Sequence, residues 1–294
     1  MNHSQLFEKL QKLQIKIDKL VDSRFVGEYR SAFKGSGLEF DEIREYQWGD
    51  EIRTINWNVT AKSSEKVFVK LFKEERELNI FVLFDISGSE YFGKMEQSKI
   101  TIGTELAAIF TFSAMKNNDK FGLISYSDQI EKVFPLSKGR KKALSIISYL
   151  LQQTPKSKGT NLLNALEYFH KIQKKRSVLF IISDFLDNSP YFEKIKFLKK
   201  KHDINLIRLF HPDEILPNLK GIIPILDSET HSKIWLSAAL FNKTNPLTLY
   251  FNQLDQKLKN FAFIEKIDYL TISTTIDYVP ILETYFKGHH KLKH

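Results

Sequence analysis

From residue 78 onward the chain alternates short runs that are apolar throughout with longer stretches of helical period. "LNIFVLF" (78–84), "SVLFIIS" (177–183) and "INLIRLF" (204–210) have the length and the β-branched and aromatic content of strands buried on both faces. Between them, residues 99–116 repeat apolar side chains at helical spacing, with Ile100, Leu106, Ala107, Phe110 and Ala114 expected to face inward. "KFGLISYS" (120–127) and "QIEKVFPL" (129–136) predict two strands around a tight turn at Asp128. Helices are predicted at about 140–152 and 161–173, and a Lys-rich one at 190–201. "GIIPIL" (221–226) and "KIWL" (233–236) read as an edge hairpin, and Asn245 followed by Pro246 opens another helix. A strand near 266–272 and a last helix begun at Asp277 complete the pattern. Buried strands separated by amphipathic helices predict an α/β fold, doubly wound, with a mostly parallel sheet covered on both faces.

Residues 1–77 differ. Leu6, Leu10, Leu13, Ile17 and Leu20 place one apolar stripe on a predicted N-terminal helix. Residues 23–77 carry mixed charge, the turn glycines Gly27, Gly35, Gly37 and Gly49, and the strand-like run "KVFVKLF" (66–72), which predicts a small β-rich annex. "GSGLEF" (35–40) lacks the third glycine and the strand-turn-helix setting of a dinucleotide site. The expected organisation is therefore 1–77 as helix and annex, and 78–294 as the main domain with C-terminal helices.

Composition narrows the chemistry. No cysteine is present, which removes disulfides, thiolate metal sites and cysteine nucleophiles and suits a reducing compartment. No segment approaches the roughly 18 uninterrupted apolar residues of a membrane span, and no signal-like apolar stretch opens the chain, so a cytoplasmic protein without a span is expected. The net charge of +9 permits an anionic partner, but the lysines come in short runs such as "KGRKK" (138–142) and "KFLKKK" (196–201) that fit solvated helix faces and ends. No nucleic-acid partner is expected.

In open α/β sheets, ligands bind beyond the carboxyl ends of the strands. The loop after residue 84 carries Asp85, Ser87 and Ser89; the loop "KSKGTN" (156–161) carries Thr160; the loop after residue 183 carries Asp184, with Asp187 further on. Alternate positions on extended or turning backbone can aim all three residues of the first loop to one side. Two carboxylates and three hydroxyls suit a hard cation, and the low ligand charge suits Mg²⁺, which favours six oxygens at roughly 2.0–2.1 Å. Ordinary turn and cap roles explain the same residues one by one, with Thr160 as a helix N-cap and Asp184 capping the segment after it.

"DISGS" (85–89), "GTNLLNALEYF" (159–169) and "ISDF" (182–185) together resemble the metal-ion-dependent adhesion site of von Willebrand factor A domains. The stretch from "GEYRSAF" to "WNVTAKS" (27–63), with "KLFKEERE" (70–77), "RSVLFIISDFLD" (176–187) and "DYVPILETYF" (277–286), resembles the bacterial family named domain of unknown function 58. The resemblance covers about residues 6–286. It implies a von Willebrand factor A-type sheet and a divalent ion, Mg²⁺ or Mn²⁺, held directly by Ser87, Ser89 and Thr160 and through waters by Asp85 and Asp184. It also implies a non-catalytic interaction module whose ion takes an acidic residue from a protein partner, in a chaperone-like system with a MoxR-type AAA+ ATPase or its client. Glu90 departs from the pattern, where a small or apolar residue is usual, and is expected to face solvent rather than weaken an acidic partner's approach. Lys138, Lys156 and Lys158 are expected to ring the metal face and favour an acidic partner. Arg44, Asp50, Arg53 and Trp57 suggest arginine-carboxylate pairing and a buried indole that fasten the annex.

Two other functions fit less of the sequence. A Mg²⁺-dependent phosphohydrolase using Asp85 as nucleophile would need a second aspartate at position 87, where serine stands. A nucleic-acid-binding protein would draw only on the basic charge.

Overall fold

The computed structural model describes residues 39–63, 66–73, 77–94, 97–215, 222–226, 233–237 and 246–292. The predicted N-terminal helix and Gly27, Gly35 and Gly37 lie outside them. The chain divides into two compact units, 33–77 and the residues from Leu78 onward. In the smaller unit, β1 (Glu39–Glu45) pairs antiparallel with β2 (Phe68–Lys73), with a bulge between Phe40 and Glu42. A 3-10 turn (Ile52–Thr54) and the single-turn helix α1 (Trp57–Thr60) join them. Arg44 donates to both oxygens of Asp50 at 2.8 Å, and this pairing holds the Asp50 carboxyl below its ordinary range. Trp57, expected as a buried indole, is 66% exposed. A two-stranded sheet offers too little surface to cover an indole, and the unit buries Val69 instead.

The larger unit runs β3 (Asn79–Asp85), α2 (Lys99–Lys116), β4 (Lys120–Tyr126), β5 (Ile130–Ser137), α3 (Arg140–Gln152), α4 (Leu162–Ile172) and β6 (Val178–Ser183). It continues with α5 (Tyr191–Lys199), β7 (Asp203–Phe210), α6 (Pro212–Ile215), β8 (Ile222–Leu226), β9 (Lys233–Ser237), α7 (Pro246–Glu265), β10 (Asp268–Ser273) and α8 (Val279–Leu292). Six strands form one sheet in the order β10-β7-β6-β3-β4-β5, and all neighbours are parallel except the edge strand β5. This is the expected α/β, doubly wound, mostly parallel sheet. The hairpin β8–β9 is a separate two-stranded sheet rather than an extension of the large one, because β10 occupies the edge beside β7.

Each central strand is buried on both sides, which explains its unbroken apolar sequence. On one face Phe81, Leu83, Leu179, Ile181 and Leu206 pack against Leu162, Leu166 and Phe169 of α4, Ile195 and Leu198 of α5, and Leu258 and Ala262 of α7. On the other face α2 lies on the sheet, where Phe110 stacks on Phe180 with ring centroids 4.1 Å apart and meets Phe286 of α8 edge-on. Gly103 allows that closeness: a Cβ there would lie 2.5 Å from the Phe84 ring. The first turn of α2 is rotated relative to expectation, so that Lys99 is fully buried while Ile100 is only half-buried.

The chain leaves β3 for β4 on one side and returns through β6 on the other side of β3. The order therefore reverses at the carboxyl ends of β3 and β6, where an open α/β sheet leaves a crevice. Among the described residues no helix is long and apolar enough to cross a membrane.

Candidate metal centre

The last residues of β3 and β6 turn polar at this crevice. Phe84 of β3 is in register with Ile182 of β6, so Asp85 and Ser183 end the two strands side by side. Asp85 is fully buried; its Oδ1 accepts the Ser87 N–H at 2.9 Å and its Oδ2 accepts the Ser183 hydroxyl at 2.7 Å. The backbone then enters a 3-10 turn over Gly88–Tyr91 that starts from Ser87. That turn brings Ser87 and Ser89 together, with their hydroxyl oxygens 3.2 Å apart.

Asp184 follows β6 and is 2% exposed. Its Oδ1 accepts the Leu186 N–H at 2.9 Å and its Oδ2 accepts the Lys99 ammonium at 2.6 Å. The next residue, Phe185, sits at φ 60, a left-handed conformation that a bulky residue rarely adopts. Burial of its ring and a 2.9 Å bond from its N–H to the Ser183 hydroxyl hold it there.

Thr160 lies in the loop before α4, half-buried. Two bonds tie that loop to the crevice: the Gly88 N–H donates to the Lys158 carbonyl at 2.8 Å, and the Asn161 N–H to the Ser127 carbonyl at 3.0 Å. Capping of α4 falls to Asn161, whose side chain accepts the Asn164 N–H at 2.9 Å, and not to Thr160. Asp187 takes the Leu162 N–H at 2.7 Å and so fastens the start of α4 to the loop after β6.

Glu90 does not face solvent, contrary to expectation. It is fully buried, its Oε1 accepts the Asp184 N–H at 2.9 Å, and its Oε2 has no hydrogen-bond partner. Carboxylate oxygens of Asp85, Glu90 and Asp184 lie within 4.8 Å of one another. The reason is the 3-10 turn: residues three apart share one side of such a helix, so Glu90 follows Ser87 inward.

Lys99 is the sole cation in direct contact with these carboxylates among the described residues. Its ammonium bonds Asp184 and, at 2.7 Å, Glu214 of α6. One buried ammonium faces four carboxylates, so the crevice does not hold all four ionised without a further cation or bound protons. Burial, with the Asp184 charge added, raises the Asp85 carboxyl, and burial raises Glu90 well above its ordinary range. Burial alone would raise Asp184 too, but the Lys99 charge and hydrogen bond hold it low. Burial would lower Lys99, yet the surrounding carboxylates outweigh it and raise the ammonium above its ordinary value. More carboxylates than one ammonium can pair, an unpartnered carboxylate oxygen and a donor set made only of oxygen fit a hard divalent cation.

A family model described as "Protein of unknown function DUF58" matches residues 42–243. The chain belongs to this family. Uncharacterized proteins of Mycobacterium tuberculosis strain H37Rv and of Mycobacterium bovis are each 25% identical to it over 224 residues, covering 75% of this chain and 70% of theirs. Among solved structures, the conserved hypothetical protein BatB from Bacteroides thetaiotaomicron is similar with a TM-score of 0.45 at 13% identity, over 73% of this chain and 99% of its own. The SpRpn10 VWA domain is similar with a TM-score of 0.40 at 14% identity, over 70% of this chain and 94% of its own.

Sequence reasoning about this family member missed Lys99, Glu214 and Ser183. A signal for Lys99 existed. It is the first residue of α2, after the N-cap Ser98, and a cation there opposes the helix dipole unless carboxylates compensate it. Glu214 lies 115 residues from Lys99 in the chain, and nothing local marks it.

Proposed function

We propose that the chain is a non-catalytic, cytoplasmic interaction module in which Asp85, Ser87, Ser89, Thr160 and Asp184 hold Mg²⁺ or Mn²⁺ to engage a protein partner. The observation that carries this reading is the convergence of buried oxygen donors, with more carboxylates than the one ammonium of Lys99 pairs, where the strand order reverses. When bound, the ion supplies a Lewis-acidic position that an Asp or Glu of a partner can occupy. The chain's own residues hold and shape that position. Asp85 braces the first loop through Ser87 and Ser183, Asp184 braces the second through Leu186, and Ser87 and Ser89 present paired hydroxyls. The family resemblance supports a MoxR-type AAA+ ATPase or its client as the partner, in chaperone-like assembly.

A phosphohydrolase reading has less support. Asp85 has no exposed surface and both its oxygens already accept hydrogen bonds, which favours a bracing role over nucleophilic attack. The test is co-purification from native cells with and without EDTA, using wild type and Asp85→Ala. Recovery of an AAA+ ATPase with metal-replete wild type, and its loss in the other arms, is the expected result. Equal recovery in all arms counts against the module, and phosphate-ester hydrolysis abolished by Asp85→Asn would replace it.

A further inference from the structure

The carboxylate oxygens of the crevice are not equivalent. Both oxygens of Asp85 already accept a donor, Ser87 N–H on one and the Ser183 hydroxyl on the other. Both oxygens of Asp184 do so as well, from Leu186 N–H and Lys99. Glu90 Oε1 accepts the Asp184 N–H, whereas Glu90 Oε2 is buried with no donor. A buried carboxylate oxygen without a partner carries an uncompensated desolvation cost, and here it belongs to a residue clustered with Asp85 and Asp184 within 4.8 Å.

We infer that Glu90 is an additional, direct carboxylate ligand of the divalent ion, so that the chain holds its metal without a partner. This rests on the reading of the crevice as a divalent-cation site. A set of neutral hydroxyls leaves an ion under-neutralised until a partner supplies a carboxylate; Glu90 supplies one from within. Asp85 and Asp184, each of whose oxygens already accepts a donor, act through their braced loops and through water. Lys99 does not take over the ion's place, because its ammonium bonds Asp184 and Glu214 and leaves Glu90 Oε2 without a donor. Partner engagement then builds on a preloaded ion, and a partner's carboxylate meets an ion of reduced net charge.

The experiment is Mn²⁺ titration of the full chain without partner, by calorimetry and by electron paramagnetic resonance, on wild type, Glu90→Gln and Ser89→Ala. Glutamine retains an oxygen to accept the Asp184 N–H, so the variant keeps that bond, and thermal unfolding in EDTA checks that it folds. Wild type is expected to bind one Mn²⁺, and Glu90→Gln to bind it at least about tenfold more weakly, as loss of a charged ligand requires. Mn²⁺ is also expected to raise the melting temperature of wild type more than that of Glu90→Gln. Equal Mn²⁺ affinity in wild type and Glu90→Gln, with Ser89→Ala weakened, overturns the role of Glu90 and leaves the metal site standing. No Mn²⁺ binding by wild type overturns the inference that the chain holds its metal without a partner, whereas the metal-dependent module itself stands or falls on the EDTA co-purification.

Discussion

At the scale of single residues, legibility depended on whether the chemistry was local. Asp85, Ser87 and Ser89 announce themselves because an apolar strand ends in them, and the fold gathers them with Asp184. Glu90 was misplaced because its neighbours in sequence say nothing of the 3-10 turn that carries it inward. His202 was not legible either: it follows a lysine run, yet it is 3% exposed, packs edge-on against Phe169 at 5.0 Å and leaves Nδ1 unpartnered. Burial, with the charges of Lys201 and His170 adding to it, lowers its pKa to about 4. The unfolded chain therefore takes up a proton that the folded one refuses between its ordinary value and about 4, so this residue costs stability as pH falls through that window. His202→Phe keeps the ring contact and removes the titration. It is expected to match wild type at pH 7.5 and exceed it at pH 4.5 by roughly 2–3 kcal/mol in urea unfolding. Parallel pH profiles for the two proteins would contradict this.

At the scale of elements, period and capping chemistry predicted nearly every strand and helix of the larger unit, because each has one dominant pattern. The failures fall where packing chooses among locally equal options. Helical period alone allows the first turn of α2 to bury Ile100, and the carboxylates of the crevice draw Lys99 inward instead. The β8–β9 hairpin has strand character without any local signal for which sheet it joins. The fit of α2 on the sheet depends on Gly103, since an added Cβ would meet the buried Phe84 ring at 2.5 Å and Leu209 at 3.1 Å. Gly103→Ala gains helix propensity of about 1 kcal/mol but forces the helix off the sheet at a cost of about 1–3 kcal/mol, so a net loss of stability is expected. The check is a lower urea midpoint with an unchanged slope; a raised midpoint would show that the helix can shift freely.

At the scale of the whole molecule, the net charge of +9 and the crevice make opposite demands on a partner. Binding through the basic surface alone would fall steeply with salt, about 10³-fold or more between 50 and 200 mM for six or more phosphate contacts. Binding through an ion in the crevice is expected to change by less than about tenfold over that range and to disappear with EDTA, as a pull-down across a salt series will read. By itself the sequence determined the alternation of buried strands and amphipathic helices, the oxygen-only chemistry and three loops bearing the right groups, since burial pattern and residue type are written locally. Only the tertiary structure decided that Glu90 turns inward and that Lys99 and Glu214, far apart in the chain, share the crevice. The physical reason is that buried charges pair across whatever distance the fold closes, and sequence spacing does not encode that distance.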